Sequence, residues 1–151
     1  MAINKFSRLL FVSILLANTL PYSCYAQPSQ KEPWSEKQLL APPVLAEKLS
    51  SGKAANTYIF NIGPSGKIKN SITIGATQEA KNIALLKKKL AQVPKNSEVV
   101  IYCGCCPFQH CPNIRPAFML LNEMKFTNAR LLNMPKNLKV DWIDKGYPMQ
   151  K

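Results

Sequence analysis

The chain has 151 residues, with 20 Lys and Arg against 8 Asp and Glu, which is a formal net charge of +12. This length corresponds to a single domain with a short extra segment. The positive charge favours contact with anions, but the basic residues are not interleaved with aromatic ones, so nucleic acid is excluded as a partner.

The first 26 residues have the layout of a secretory signal. Lys5 and Arg8 precede an apolar run at 9–20, and small residues follow up to Ala26. A run of this length is too short for a transmembrane helix, which needs roughly 20 residues. We expect cleavage after Ala26, export to the periplasm or the medium, and no stable membrane insertion afterwards. A retained anchor helix, or lipidation at Cys24, is the alternative.

The remaining chain divides into a linker and one domain. Residues 27–37 are polar and contain two prolines, which predicts a linker, and residues 38–149 form the predicted domain. Removal of Lys5 and Arg8 with the signal lowers the formal charge from +12 to +10. The four cysteines that remain all lie between positions 103 and 111.

Strands and helices alternate along the predicted domain. Helices are predicted near 43–50, at 77–93, after Asn113 and within 137–148, and strands at 56–62, 72–75, 98–103 and 128–132. Asn113 is the predicted N-cap of the third of these helices. The helix at 77–93 is defined by apolar residues at three- and four-residue steps, which form its predicted inner face: Ala80, Ile83, Leu86, Leu90 and Val93. In contrast, 98–103 is a continuous apolar run typical of a strand buried on both faces. This alternation predicts a compact α/β domain with a mostly parallel central sheet flanked by helices.

Four cysteines and the only histidine follow the most apolar strand, in the stretch YCGCCPFQHCPNIRP at 102–116. The carboxyl ends of parallel strands are where ligands gather in such sheets. A thiol reacts as its thiolate, which positive potential stabilises. We expect the amides that begin the next helix, together with the Arg115 guanidinium, to stabilise a thiolate, a persulfide or a bound oxyanion in this loop.

Two other uses of the loop stay open. The cysteines and His110 are soft or borderline ligands that suit copper(I) or zinc, although a closed zinc site usually takes ligand pairs from separate segments. His110 alone is more typical of a solvent-facing loop residue. In an oxidising compartment the thiols tend to pair instead, and a bridge between Cys105 and Cys106 would be strained, which favours Cys103 or Cys106 joined to Cys111.

The segment 98–148 resembles the second half of a rhodanese-like domain. That family has a buried strand ending in Tyr-Cys, an active-site loop, an arginine that opens a helix, a strand entered through a G-F-x-N-V type stretch, and a closing Trp-bearing helix with Gly and Pro. The corresponding stretches are VVIYC at 99–103, Arg115, MKFTNARLL at 124–132 and DWIDKGYP at 141–148. The first half matches more loosely, through APPVLAEKL at 41–49 and YIFNIGPSGKIKNSITIGA at 58–76.

The resemblance implies a sulfurtransferase or thiol-redox protein that moves sulfane sulfur through a cysteine persulfide. Cys103 matches the family's catalytic position, and Arg115 would hold the anionic donor or steady the persulfide. Twelve positions separate these two residues, more than the family's loop usually has, so Cys105, Cys106 and Cys111 become possible resolving or alternative thiols.

The resemblance also implies partners. It predicts a small anionic sulfur donor and a thiol acceptor, no cofactor and no resident metal, and it leaves the oligomeric state open. Trp142 and Tyr147 would be packing residues. The alternative is a non-catalytic rhodanese-fold module that uses the loop to bind a soft metal or a partner.

Overall fold

Five parallel strands form the central sheet in a computed structural model that describes residues 31–151. In chain order the strands are β1 (Leu39–Leu40), β2 (Thr57–Asn61), β3 (Ser71–Thr73), β4 (Glu98–Tyr102) and β5 (Ala129–Leu132). Their spatial order is β1-β5-β4-β2-β3, and every neighbouring pair is parallel. The predicted α/β class with a mostly parallel central sheet is therefore confirmed. The predicted signal at 1–26, Cys24 and residues 27–30 of the predicted linker lie outside the described residues.

Helices cover both faces of the sheet. They are α1 (Pro42–Ser50), α2 (Ala80–Leu90), α3 (Ile114–Glu123) and α4 (Leu138–Asp141), with short 3-10 helices at Glu36–Gln38, Phe108–His110 and Ile143–Lys145. One hydrophobic cluster joins α2 and α3 to one face, and a second joins α1 and α4 to the other. No helix within residues 31–151 has the length and apolar character needed to cross a membrane.

Strand β4 lies in the middle of the sheet and contributes to both clusters. Val99 and Ile101 belong to the cluster with α2 and α3, while Val100 and Tyr102 belong to the cluster with α1 and α4. This division follows from the alternation of side chains along a strand. All four side chains are fully buried, so the prediction of a strand buried on both faces is confirmed. The strand delivers Cys103 to the carboxyl edge of the sheet.

The predicted elements differ from the observed ones mainly at their ends. Helix α2 begins at Ala80 rather than at Thr77, because the Thr77 hydroxyl donates to the Asn113 carbonyl oxygen at 2.6 Å and holds the preceding turn. Ala80 was expected on the inner face and is exposed. Strand β1 was not predicted, since two residues give no periodic signal.

The end of the predicted linker packs against α3. The Trp34 ring lies 5.7 Å from the Phe118 ring and 6.3 Å from the Phe108 ring. The Asn122 side chain donates to the Pro33 carbonyl oxygen at 2.7 Å. Residues 33–34 thus cover the helix that starts just after the cysteine loop.

An ion pair lies at the amino edge of the sheet, opposite the cysteine loop. Lys48 on α1 donates to both carboxylate oxygens of Glu98 at 2.8 Å, and the Thr57 hydroxyl donates to the same carboxylate at 2.7 Å. Burial raises the pKa of the Glu98 carboxyl, but these hydrogen bonds outweigh burial and hold that pKa below its usual value.

We expect Lys48→Met to lower the free energy of unfolding by about 1 kcal/mol at neutral pH, because the pair is partly exposed. A carboxyl whose pKa is lowered by folding stabilises the protein above its unfolded pKa of about 4.3, and this contribution is lost as the pH falls through the folded pKa. The difference in free energy of unfolding between wild type and Lys48→Met should therefore become smaller in acid, as measured by urea unfolding at several pH values.

The matched control for this prediction is Lys81→Met. Lys81 pairs with Glu79 at 2.9 Å, but both side chains are exposed, so we expect no measurable change in stability. A difference between wild type and Lys48→Met that stays constant down to pH values well below the unfolded carboxyl pKa would contradict the assigned role of Glu98.

Candidate functional site

Cys103 directly follows β4 at the carboxyl edge of the sheet. Its side chain is buried, with 1% of its surface exposed. The Ile62 amide donates to the Tyr102 carbonyl oxygen at 2.9 Å, which extends the pairing of β2 and β4 up to the site. Gly63 then passes so close that a Cβ atom at this position would overlap the Cys103 sulfur. The missing side chain at position 63 is what makes room for the thiol.

Three thiols converge at this edge. The sulfur atoms of Cys103, Cys105 and Cys111 all lie within 4.8 Å of one another, and we refer to these three residues as the thiol cluster. The Cys103 and Cys105 sulfurs are 3.2 Å apart. Gly104 between them has φ +76°, a left-handed conformation that a residue with a side chain rarely adopts, and this turn brings Cys105 back towards Cys103.

Cys111 reaches the cluster through the 3-10 helix that precedes it. Phe108 in that helix is buried beside Trp34, and its amide donates to the Met134 carbonyl oxygen at 3.3 Å. The Cys111 amide donates to the Phe108 carbonyl oxygen at 3.3 Å. Burial of Phe108 therefore anchors the loop and leaves Cys111 buried next to Cys103.

Asn113 ties the thiol cluster to two other parts of the fold. Its side-chain nitrogen donates to the Cys103 sulfur at 3.3 Å, and its side-chain oxygen accepts from the backbone amide of Gln78 at 3.1 Å. The residue occupies the N-cap position of α3, as predicted, but its side chain makes no capping hydrogen bond. Sequence analysis identified Asn113 only as a helix cap, and its contact with the thiol depends on the packing of the loop before α2.

Hydrogen bonds from the groups around the Cys103 sulfur lower the pKa of this thiol to about 5. The thiol of Cys111 contributes most, burial opposes the shift, and the Cys105 amide and thiol and the Asn113 side chain contribute further. Burial and the neighbouring Cys103 sulfur raise the pKa of Cys105 to about 12, and the hydrogen bond to Cys103 together with burial raises the pKa of Cys111 as well. Within the cluster these contacts favour the thiolate form on Cys103 and the protonated form on Cys105 and Cys111.

Cys105 connects the cluster to solvent. It is exposed, whereas Cys103 and Cys111 are buried. It lines an open groove of about 370 Å³ together with Gly104, the 64–66 loop and the first residues of α4. Because Cys105 lines this groove and Cys103 does not, a small molecule bound there contacts Cys105.

Arg115 lies in the first turn of α3, and its guanidinium is engaged by the segment before β1. It bonds the Glu32 carboxylate at 2.7 Å and lies 5.6 Å from the Trp34 ring. The hydrogen bonds to the Cys103 sulfur within residues 31–151 come from neighbouring thiols and amides, not from a guanidinium. The expected role of Arg115 in holding a donor stays a prediction.

The structure brings together three of the five predicted site residues, namely the thiol cluster of Cys103, Cys105 and Cys111. The other two are Cys106 and Arg115. The Cys106 sulfur lies 3.3 Å from that of Cys105 but does not belong to the thiol cluster, and His110 is exposed as expected. All four cysteines of the loop are free thiols. Sequence reasoning missed Gly63, which has no motif around it to mark a close approach.

No protein-family model matches the chain, and no curated protein is significantly similar to it.

Proposed function

We propose that the protein is an exported, rhodanese-like sulfurtransferase that takes up sulfane sulfur on Cys103 as a persulfide. The observation that carries the proposal is the setting of the Cys103 sulfur at the carboxyl end of the central parallel strand, where Asn113 donates to it at 3.3 Å and the Cys105 sulfur lies 3.2 Å away. Donors on several sides favour negative charge on this sulfur, which nucleophilic attack requires.

The proposed uptake step needs no outside oxidant or reductant. The Cys103 thiolate attacks the outer sulfur of a small anionic donor such as thiosulfate. A new sulfur–sulfur bond forms on Cys103 while the bond within the donor breaks, and sulfite leaves with the electron pair. The product is a Cys103 persulfide anion, whose charge the same amide and thiol donors can hold.

The proposed transfer step returns the protein to its starting state. The thiolate of an acceptor attacks the outer sulfur of the persulfide, and the Cys103 thiolate leaves with the electron pair. Cys105 is the thiol of the cluster that is both exposed and close to Cys103, so it is the intramolecular candidate for receiving this sulfur before release. The net positive charge of the chain favours the approach of an anionic donor.

The test is the intact mass of the full chain after reduction, treatment with a metal chelator and incubation with thiosulfate. We expect the mass of one added sulfur atom on the wild type and none on Cys103→Ser. Cys106→Ser is the matched control, because it removes a thiol of the same loop that lies outside the cluster, and it should keep the adduct.

Two further measurements make this experiment decisive. Circular dichroism of each variant establishes that it is folded, and peptide mapping after alkylation locates the added sulfur. Failure of several sulfane donors to add mass to the folded wild type would overturn the proposal. An adduct that persists in Cys103→Ser would move the acceptor role to another cysteine and would also overturn it.

A further inference from the structure

We propose that the thiol cluster is a binding site for a soft monovalent metal ion, with copper(I) as the ion that fits best. The proposal does not depend on sulfur transfer and rests on the convergence of three sulfur atoms within 4.8 Å of one another. Metal–thiolate bonds are about 2.3 Å long, so three sulfurs around one ion in a trigonal plane stand about 4 Å apart. The cluster spans this spacing, from the 3.2 Å between the Cys103 and Cys105 sulfurs to the outer limit of 4.8 Å.

The ligand set selects the kind of ion. Cys103, Cys105 and Cys111 supply three sulfur atoms, and the group that residues 31–151 bring together contains no imidazole or carboxylate. Thiolates favour copper(I), which is stable with three ligands, whereas zinc takes a fourth ligand to complete a tetrahedron. His110 is exposed and does not belong to the group, so the cluster suits copper(I) better than zinc.

The surroundings of the three sulfurs support binding and release of an ion. Two of the ligands are buried and held by the fold, and Asn113 orients the Cys103 sulfur with a hydrogen bond of 3.3 Å. Residues that hydrogen-bond to a metal ligand without binding the metal themselves, which we call outer partners, hold that ligand in place. The third ligand, Cys105, is exposed and lines the groove, which gives an ion a route in and out. Binding replaces thiol protons with the ion and releases them to solvent.

Copper(I) binding is tested on the full, reduced chain without oxygen, by competition with a coloured copper(I) chelator. We expect one ion per chain. Loss of a direct ligand in Cys103→Ser, Cys105→Ser or Cys111→Ser should weaken binding by more than the roughly 10- to 100-fold that loss of an outer partner costs, and Asn113→Ala should fall within that range. Cys106→Ser, the matched control, should bind as the wild type does.

The copper–thiolate absorption in the ultraviolet gives a second readout on the same samples, and zinc is expected to compete poorly. Absence of binding to the folded wild type would overturn the proposal, and so would unchanged affinity in Cys105→Ser or a requirement for Cys106. Failure here is distinguishable from failure of the proposed sulfur transfer, since sulfur uptake is measured on chelator-treated protein. Cys105→Ser should lose copper(I) while it still takes up sulfur on Cys103.

Discussion

Gly63→Ala is expected to displace the Cys103 thiol and to destabilise the protein. A Cβ atom at position 63 would overlap the Cys103 sulfur and come within 3.0 Å of the Cys103 carbonyl oxygen. The carbonyl belongs to the backbone at the end of the central strand, so it cannot rotate away as the end of a side chain can. Overpacking of this kind costs about 1–3 kcal/mol. Because the sulfur itself must move, the substitution affects the site as well as the fold.

Three measurements on Gly63→Ala test this expectation. Urea unfolding should show lower stability, the intact mass should show little or no added sulfur after incubation with thiosulfate, and copper(I) affinity should fall. Gly66→Ala is the matched control in the same loop. A Cβ there would lie 3.3 Å from the terminal methyl carbon of Met149, which is flexible, so we expect stability and sulfur uptake close to those of the wild type.

Wild-type stability together with normal sulfur uptake in Gly63→Ala would show that the close approach of Gly63 does not position the thiol. Reduced uptake in both glycine variants would show instead that the whole 63–66 loop tolerates no added side chain. Either result would contradict the assignment of Gly63 as the residue that makes space for Cys103.

Trp142→Ala is expected to cause the largest loss of stability, about 3–5 kcal/mol. The Trp142 side chain is fully buried in the cluster that joins α1 and α4 to the sheet. Its ring lies 5.2 Å from the Tyr147 ring in an edge-on arrangement, and its indole nitrogen donates to the Pro148 carbonyl oxygen at 3.2 Å. Alanine would leave a cavity and would remove one of the two hydrogen bonds to the Pro148 carbonyl oxygen, which also accepts from the Lys69 amide at 3.1 Å.

Urea and thermal unfolding measure this loss. Met119→Ala is the control, because Met119 is an apolar residue of α3 with 60% of its surface exposed, and its removal should change stability little. A loss under about 1 kcal/mol in Trp142→Ala would mean that the closing segment contributes little to the core, contrary to its complete burial. The expected packing role of Trp142, which came from the resemblance and from composition, agrees with its position in the structure.

The sequence by itself determined the α/β class, the positions of most elements and the placement of Cys103 at a strand end. These features depend on local periodicity, since alternating or continuous apolar runs report which faces of a strand or helix are buried. The run at 98–103 is the clearest case, because it predicted both the burial of β4 and the edge of the sheet where the cysteines lie. Four cysteines in nine positions also marked the loop as the candidate site.

Only the tertiary structure decided which groups meet at that site. Asn113 and Gly63 contact the Cys103 sulfur because separate loops pack together, and no local pattern encodes such a contact. Arg115 bonds Glu32, a residue 83 positions away, and within residues 31–151 the hydrogen bonds to the Cys103 sulfur come from other groups. Cys105 and Cys111 belong to the thiol cluster and Cys106 does not, because of the left-handed turn at Gly104 and the burial of Phe108. Such contacts arise from the packing of distant segments, so periodicity along the chain could not reveal them.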